Sequence, residues 1–250
     1  MTAATKDIVT AAVLVIGDEI LSGRTKDKNI GFIADLLTAI GIQLREVRVV
    51  PDVEDKIVAG LNSLRGAYDY VFTTGGIGPT HDDITADAIA KAFGVAIDVD
   101  PRAVAVMAPH YEARGLEFTQ SRRRMARIPA GADLIENTVS KAPGFMIGNV
   151  IVMAGVPNIM QAMMQAVTPR LATGKKMLSA AVTVRRPESE IAELFAEVQK
   201  LHPAVPMGSY PFSDDQGYGA NLVLRSTDPD QLEAARQALI ARLKAEGITV

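Results

Sequence analysis

A chain of 250 residues with 48% hydrophobic and 22% charged residues has the composition of a globular protein with room for a sizeable core. The formal net charge of −3 gives no broad electrostatic attraction for nucleic acid, so neither DNA nor RNA is expected as a partner and any anion binding must be arranged locally. The absence of cysteine excludes disulfides, thiolate catalysis and sulfur-bound zinc, and suits a reducing, cytoplasmic setting.

In chain order, the first element is the apolar run AAVLVI, Ala11 to Ile16. Asp7 precedes it and Asp18-Glu19 ends it, so it reads as a strand rather than as a leader. No apolar stretch approaches the roughly eighteen residues of a membrane helix, and no membrane association is expected. A helix comes next, from about Asn29 to Ile40, then the strand IQLREVRVV, the helix VEDKIVAGLNSL, the strand YDYVFTT and the helix ITADAIAKAFG, stopped at Gly94. Helical stretches over Arg102 to Arg114 and Thr119 to Arg127 precede the strand NVIVMAG and a helix opened by Pro157. The methionines of IMQAMMQAV fall at helical spacing and read as core filler.

Runs of Val and Ile without clean alternation are the pattern of parallel strands covered on both faces. The expected fold class is therefore α/β, a three-layer αβα arrangement around a mostly parallel sheet. After ATGKK the grammar changes to strand, helix, two strands and helix, expected as a small C-terminal α+β domain (βαββα) over 175–250, with 1–174 forming the first domain. GSYPFSDDQGYG, which holds Tyr210 and Tyr218, reads as a hairpin; its acids and aromatics leave a ligand contact open as the alternative.

Two strand ends carry the chemistry. GDEILSG, Gly17 to Gly23, ends the first strand, and TTGGIGPTHDD, Thr73 to Asp83, ends the third. If those strands are neighbours, Asp18 and Glu19 converge with Asp82 and Asp83 on one crevice at the carboxyl edge of the sheet. Gly75, Gly76 and Gly78 offer exposed backbone N–H groups for an anion ahead of a helix. Carboxylates repel a bare phosphate, so the combination calls for a hard divalent cation, Mg, Mn or Co, between them. The plain alternatives are that Asp82 or Asp83 caps the next helix and that GDE is a polar turn. Arg122, Arg123, Arg124 and Arg127 offer guanidinium groups to phosphates or form a solvated helix face, and His81 either assists proton transfer or is merely exposed.

GDEILSG, TTGGIGPTHDDIT, KAPGF and MAGVP, taken in this order, resemble the molybdopterin-binding (MoaB/Mog-like) domain in the form found in the N-terminal part of CinA, competence/damage-inducible protein A, and of FAD synthases. The resemblance runs from about Val9 to Leu171. It implies that Gly75, Gly76, Gly78, Asp83 and Thr85 belong to a pterin- or nucleotide-binding loop, with Asp18 as the acid after the first strand. Gly17, Ser22, Thr74, Pro79, Thr80, Arg124 and Lys141 are the further binding residues expected.

The activity it implies is metal-dependent hydrolysis of a nucleotide diphosphate bond, in an ADP-ribose-like or FAD-like dinucleotide. Asp18 and Asp83 would be the metal ligands and Asp18, Glu19 and Asp83 the catalytic acids. The alternatives are a non-catalytic molybdopterin- or nucleotide-binding protein and a molybdopterin adenylyltransferase of molybdenum cofactor biosynthesis. The partner expected is a small nucleotide or pterin, with assembly as a homo-oligomer, dimer or trimer. The amidase domain of longer CinA proteins and the adenylyltransferase domain of FAD synthases are not expected within these residues.

Overall fold

The computed structural model describes residues 6–250 apart from residue 216. The chain divides into two compact units, with the break between Gly174 and Lys175.

The first unit runs β1 (Val9–Ile16), α1 (Asp18–Leu21), α2 (Asn29–Ala39), β2 (Ile42–Val50), α3 (Glu54–Ala67), β3 (Tyr70–Thr74), α4 (Thr85–Phe93), β4 (Ile97–Val99), α5 (Pro101–Glu112), α6 (Gln120–Arg124), β5 (Arg127–Pro129), β6 (Asp133–Ile135), β7 (Gly144–Ile147), β8 (Val150–Met153) and α7 (Pro157–Val167). Its main sheet has the order β2-β1-β3-β8-β7-β6. The pairs β2–β1, β1–β3 and β3–β8 are parallel, while β7 runs antiparallel to β8 and β6 antiparallel to β7. A separate antiparallel pair joins β4 to β5.

Strand β1 shows why three layers form. Its alternate residues Ala12, Leu14 and Ile16 pack with Ile57, Leu61 and Leu64 of α3, Ala88 and Ile89 of α4, and Met107 of α5. The intervening Val9, Ala11, Val13 and Val15 pack with Ile33 and Leu37 of α2 and with Met160, Met163, Met164 and Val167 of α7. A strand this thoroughly covered cannot show polar alternation, because both pleat faces meet helices. β2 stands at the edge of the sheet, and from Glu46 onward its burial alternates residue by residue. The Met-rich stretch is core, as its spacing predicts.

The second unit consists of β9 (Leu178–Val184), α8 (Glu188–Leu201), β10 (Met207–Asp214), β11 (Gly217–Ser226) and α9 (Pro229–Ala245). Its three strands are antiparallel in the order β10-β11-β9. Val182, Val184, Leu222 and Leu224 form its core with Ile191 and Leu194 of α8 and Leu239 and Leu243 of α9. Of GSYPFSDDQGYG, residues 208–214 lie on β10 and residues 217–219 on β11, paired antiparallel as a hairpin requires; residue 216 lies outside the described residues. Among the described residues no helix is long and apolar enough to cross a membrane.

Candidate functional site

β1 and β3 are hydrogen-bonded parallel neighbours, so the segments beyond their carboxyl ends leave from the same edge of the sheet. Beyond β1 the chain forms a single helical turn, α1, rather than a loop, and this turn carries Asp18 and Glu19. The Gly17 N–H donates to Val50 O of β2 at 3.1 Å, tying the turn to the edge strand.

Asp52, two residues beyond β2, completes the acidic side of the crevice. Its carboxylate accepts the Asp18 N–H at 2.9 Å. Burial pushes the Asp52 carboxyl above its ordinary pKa; the Asp18 N–H bond opposes this, and the charges of Glu19, Asp18 and Asp82 add to the rise. Carboxylates from three strand ends therefore feel one another here without a compensating cation side chain among these named causes. Sequence reasoning missed Asp52 because a Pro-Asp step after an edge strand has the appearance of an ordinary turn.

This arrangement has a pH signature. The folded-state pKa of Asp52 lies above the unfolded value, so its penalty is absent where the group is protonated in both states. The penalty grows as pH rises from about 4 through the folded pKa and is complete above it. Asp52→Asn, which keeps an acceptor for the Asp18 N–H, is expected to raise Tm by roughly 1–3 °C at pH 7 and to leave it unchanged at pH 3. Thermal melts of both proteins at the two pH values read this directly; a variant no more stable at pH 7 refutes the assignment.

At the end of β3 the backbone turns sharply. Gly75 has φ 102° and Gly76 φ 65°, values that L side chains rarely adopt. A Cβ on Gly75 would lie 2.1 Å from Ile16 O of β1, and one on Gly76 would lie 2.2 Å from the Thr85 hydroxyl. Thr85, fully buried, clamps the turn: its hydroxyl donates to Gly75 O at 2.9 Å and its N–H to Gly76 O at 2.9 Å. The Gly75 N–H is itself spent on Met153 O of β8. Among the described residues the N–H groups of Gly76, Ile77 and Gly78 find no acceptor, so three backbone donors stand free along this stretch.

The two neighbouring acids part company. Neither caps α4, whose N-cap is Ile84 without a side-chain bond. The Asp82 charge reaches Asp52, while the Thr80 hydroxyl and the charges of His81 and Arg124 hold its own carboxyl below the ordinary pKa. Asp83 folds back on its own loop: Oδ2 accepts the Thr80 N–H at 2.8 Å and the Thr80 hydroxyl, and lies 2.6 Å from where a Cβ on Gly78 would stand. Oδ1 accepts no hydrogen bond among the described residues. Arg124 donates to the Asp83 main-chain oxygen at 3.0 Å, and both line a small cavity beside Gly78, Asp87, Arg127 and Pro143.

The other expected residues fall in separate places. Pro79 lines a groove next to this loop. Ser22 closes α1, its N–H donating to Asp18 O at 2.8 Å, and is exposed. Thr74 is buried at the end of β3, its hydroxyl without a partner among the described residues. Lys141 is a non-glycine residue at φ 65°, its N–H bonded to Asn137 O. It lies within electrostatic reach of His110 on α5, whose imidazole pKa is lowered first by desolvation and then by the Arg114 and Lys141 charges.

Asn29, at the start of α2, is a second residue the sequence did not mark. It is buried, its amide donates to Gly155 O at 2.8 Å, and its Oδ1 is unpartnered among the described residues. Gly155 is in turn packed against Gly75, with 3.2 Å between a Cβ there and the Gly75 Cα. Asn29 thus braces the turn from behind, a role carried by tertiary contact and invisible in local pattern.

The carboxylates are hard oxygen donors of the kind that hold Mg or Mn, which take one or two protein carboxylates and complete their shell with water and substrate phosphate. Among the described residues no group of three or more carboxylate or histidine side chains forms a ready-made metal cage. The donor set fits a cation that arrives with a phosphorylated ligand.

Comparison with known proteins places this architecture. Residues 12–173 match the family model described as a probable molybdopterin binding domain, and residues 176–250 match the FAD synthase middle domain. A protein of Pyrobaculum calidifontis is 32% identical over 94% of this chain and 94% of its own length. A CinA-like protein of Desulfosudis oleivorans is 35% identical over 79% of this chain, a match spanning 51% of that protein. Among solved structures, CinA of Thermoplasma acidophilum, described as of unknown function, is 36% identical with a TM-score of 0.60, covering 66% of this chain and 99% of that one. The crevice at the ends of β1, β2 and β3 is therefore that of a CinA-like member of the molybdopterin-binding-domain family, to which this chain belongs.

Proposed function

We propose that the protein is a metal-dependent nucleotide pyrophosphatase acting on an ADP-ribose-like or FAD-like dinucleotide. The observation that carries this reading is the row of unpaired N–H groups at Gly76, Ile77 and Gly78, set beside the crowded carboxylates of Asp18, Glu19, Asp52 and Asp82. Neither half is useful alone. A diphosphate would take the N–H groups, and a divalent cation arriving with it would supply the positive charge the acids call for.

In this reading Asp18 and the free Oδ1 of Asp83 would hold the cation, and the cradle N–H groups would orient the diphosphate. Arg124, already fixed on the Asp83 main chain, faces the charge that builds up on the phosphate oxygens. Glu19, exposed on α1, takes the proton of the attacking water. The cation supplies charge neutralisation and acidifies water. One water is consumed, one anhydride P–O bond breaks, and two phosphomonoesters result. We assign the protein to the cytoplasm and to a homo-oligomer on the strength of the family resemblance.

The lack of a three-ligand cage among the described residues favours one competing reading, a module that binds a pterin or nucleotide without turnover. Incubation with ADP-ribose or FAD in Mg, Mn or Co, with AMP followed by chromatography, separates them. AMP should form with metal and vanish with EDTA. Tight nucleotide or pterin binding without AMP under any metal establishes the binding module, and adenylyl transfer to a pterin acceptor establishes the adenylyltransferase.

A further inference from the structure

The second unit carries an open groove of roughly 530 Å³, lined from α8 by Ile191, Ala192, Phe195 and Ala196 and from β10 by Met207. Among its described lining residues Glu188, at the start of α8, is alone in carrying a charge.

β10 is an edge strand, but it is a poor template for an added strand. Its Met207 N–H is already taken by the Gln199 side chain at 2.8 Å, and Pro211 has no N–H to offer. The helix side of the groove is better suited to a partner. Glu188, Ala192, Ala196 and Lys200 recur at intervals of four, so they form one continuous row along α8, and all four are exposed. Glu188 and Lys200 make no ion pair among the described residues, whereas Glu190 pairs with Arg186 and Glu197 with Arg242. Glu193 stands on the adjacent row, exposed. The helix dipole favours an acid at the start of α8 and a base at its end, but it does not require them to share a row with the groove.

The row reads negative, small, small, positive. Turned end for end it is its own complement: Glu188 meets Lys200 and Ala192 meets Ala196, twice over. We propose that this face of α8 is a two-fold contact with a second copy of the chain, the two rows lying antiparallel. Rows of this kind pack at a crossing angle of about 50°, and alanine at the centre lets the helices approach closely enough to cover the apolar groove. A contact built on one helix from each copy is small, so the dimer is reversible. The inference rests on the homo-oligomer assigned above, to which it gives a surface; no part of the crevice chemistry enters it.

Sedimentation velocity of the full chain over a concentration series tests the contact. Lys200→Glu sets acid against acid at both ends and should raise the dimer dissociation constant about tenfold. Glu188→Lys combined with Lys200→Glu restores both pairs in reverse and should bring the constant back to within about threefold of the original. Ala196→Arg, at an exposed position, should raise it by about 100-fold or more. Thermal melts that match the parent exclude a folding defect as the cause. A parent chain that stays monomeric overturns the homo-oligomer and this surface together. Association that survives Ala196→Arg, or a loss in Lys200→Glu that the double variant does not restore, overturns the surface alone and moves the contact elsewhere, such as the edge of β10. The AMP assay reports on the crevice separately.

Discussion

Replacing Gly75 by alanine is expected to cost about 3 kcal/mol or more, lowering Tm by roughly 8–12 °C. Two penalties coincide. The backbone sits at φ 102°, and the new methyl would stand 2.1 Å from Ile16 O, an atom held by the β1–β2 and β1–β3 pairing. A backbone oxygen inside a six-stranded sheet cannot yield as the end of a flexible side chain can. Gly23→Ala is the comparison: its φ is 72° but no atom lies within 4 Å of the added carbon, so the cost should be about 1 kcal/mol. Chemical denaturation of the two variants measures the difference. Equal stabilities would mean that the strand ends are looser than the close approach of β1 and β3 requires.

The largest effect on activity is expected from the acids flanking the cradle. Asp18→Asn and Asp83→Asn should each reduce metal-dependent AMP formation by about 100-fold, or roughly 2.7 kcal/mol of transition-state stabilisation. Both substitutions are nearly isosteric. Asparagine at 83 retains an oxygen for the Thr80 N–H, so the loop should hold its shape and Tm should change little. Each variant should also need a higher metal concentration for half-maximal rate, which a purely structural role would not produce. Undiminished AMP formation in both would move the chemistry away from this crevice.

The parallel half of the sheet is legible in the sequence because β1, β3 and β8 are covered on both faces and so present uninterrupted apolar runs. Between Phe93 and Asn149 the sequence is much less informative. β4, β5 and β6 are three residues long and β7 four, too short for any periodicity, and Pro129 and Gly144 lie within them. The antiparallel return through β7 and β6 escapes pattern reading for that reason. α1 has the signature of a plain turn, because a single helical turn has no repeat to detect.

The site divides the same way. The glycine turn is visible because glycine itself marks unusual backbone. The different surroundings of the acidic pair are not: local sequence does not say that the Asp82 charge reaches Asp52 and Arg124 while Asp83 takes the Thr80 N–H. Asp52 and Asn29 act through partners 34 and 126 residues away in the chain, Asp18 and Gly155, and no motif window spans such distances.

The acids of the crevice hang from three strands that meet only through parallel pairing, each pairing closed by a helical crossover. Parallel pairs of this kind form late in folding, since the chain must close long loops before the contacts repay the entropy. A chain caught with its helices formed but its sheet open would hold Asp18, Asp52 and Asp82 far apart, their mutual repulsion relieved. Like-charge crowding at one end of the sheet is thus a tension that arises only as the last strands lock, and a ligand that neutralises it would act at that moment as a fastener for the whole first unit.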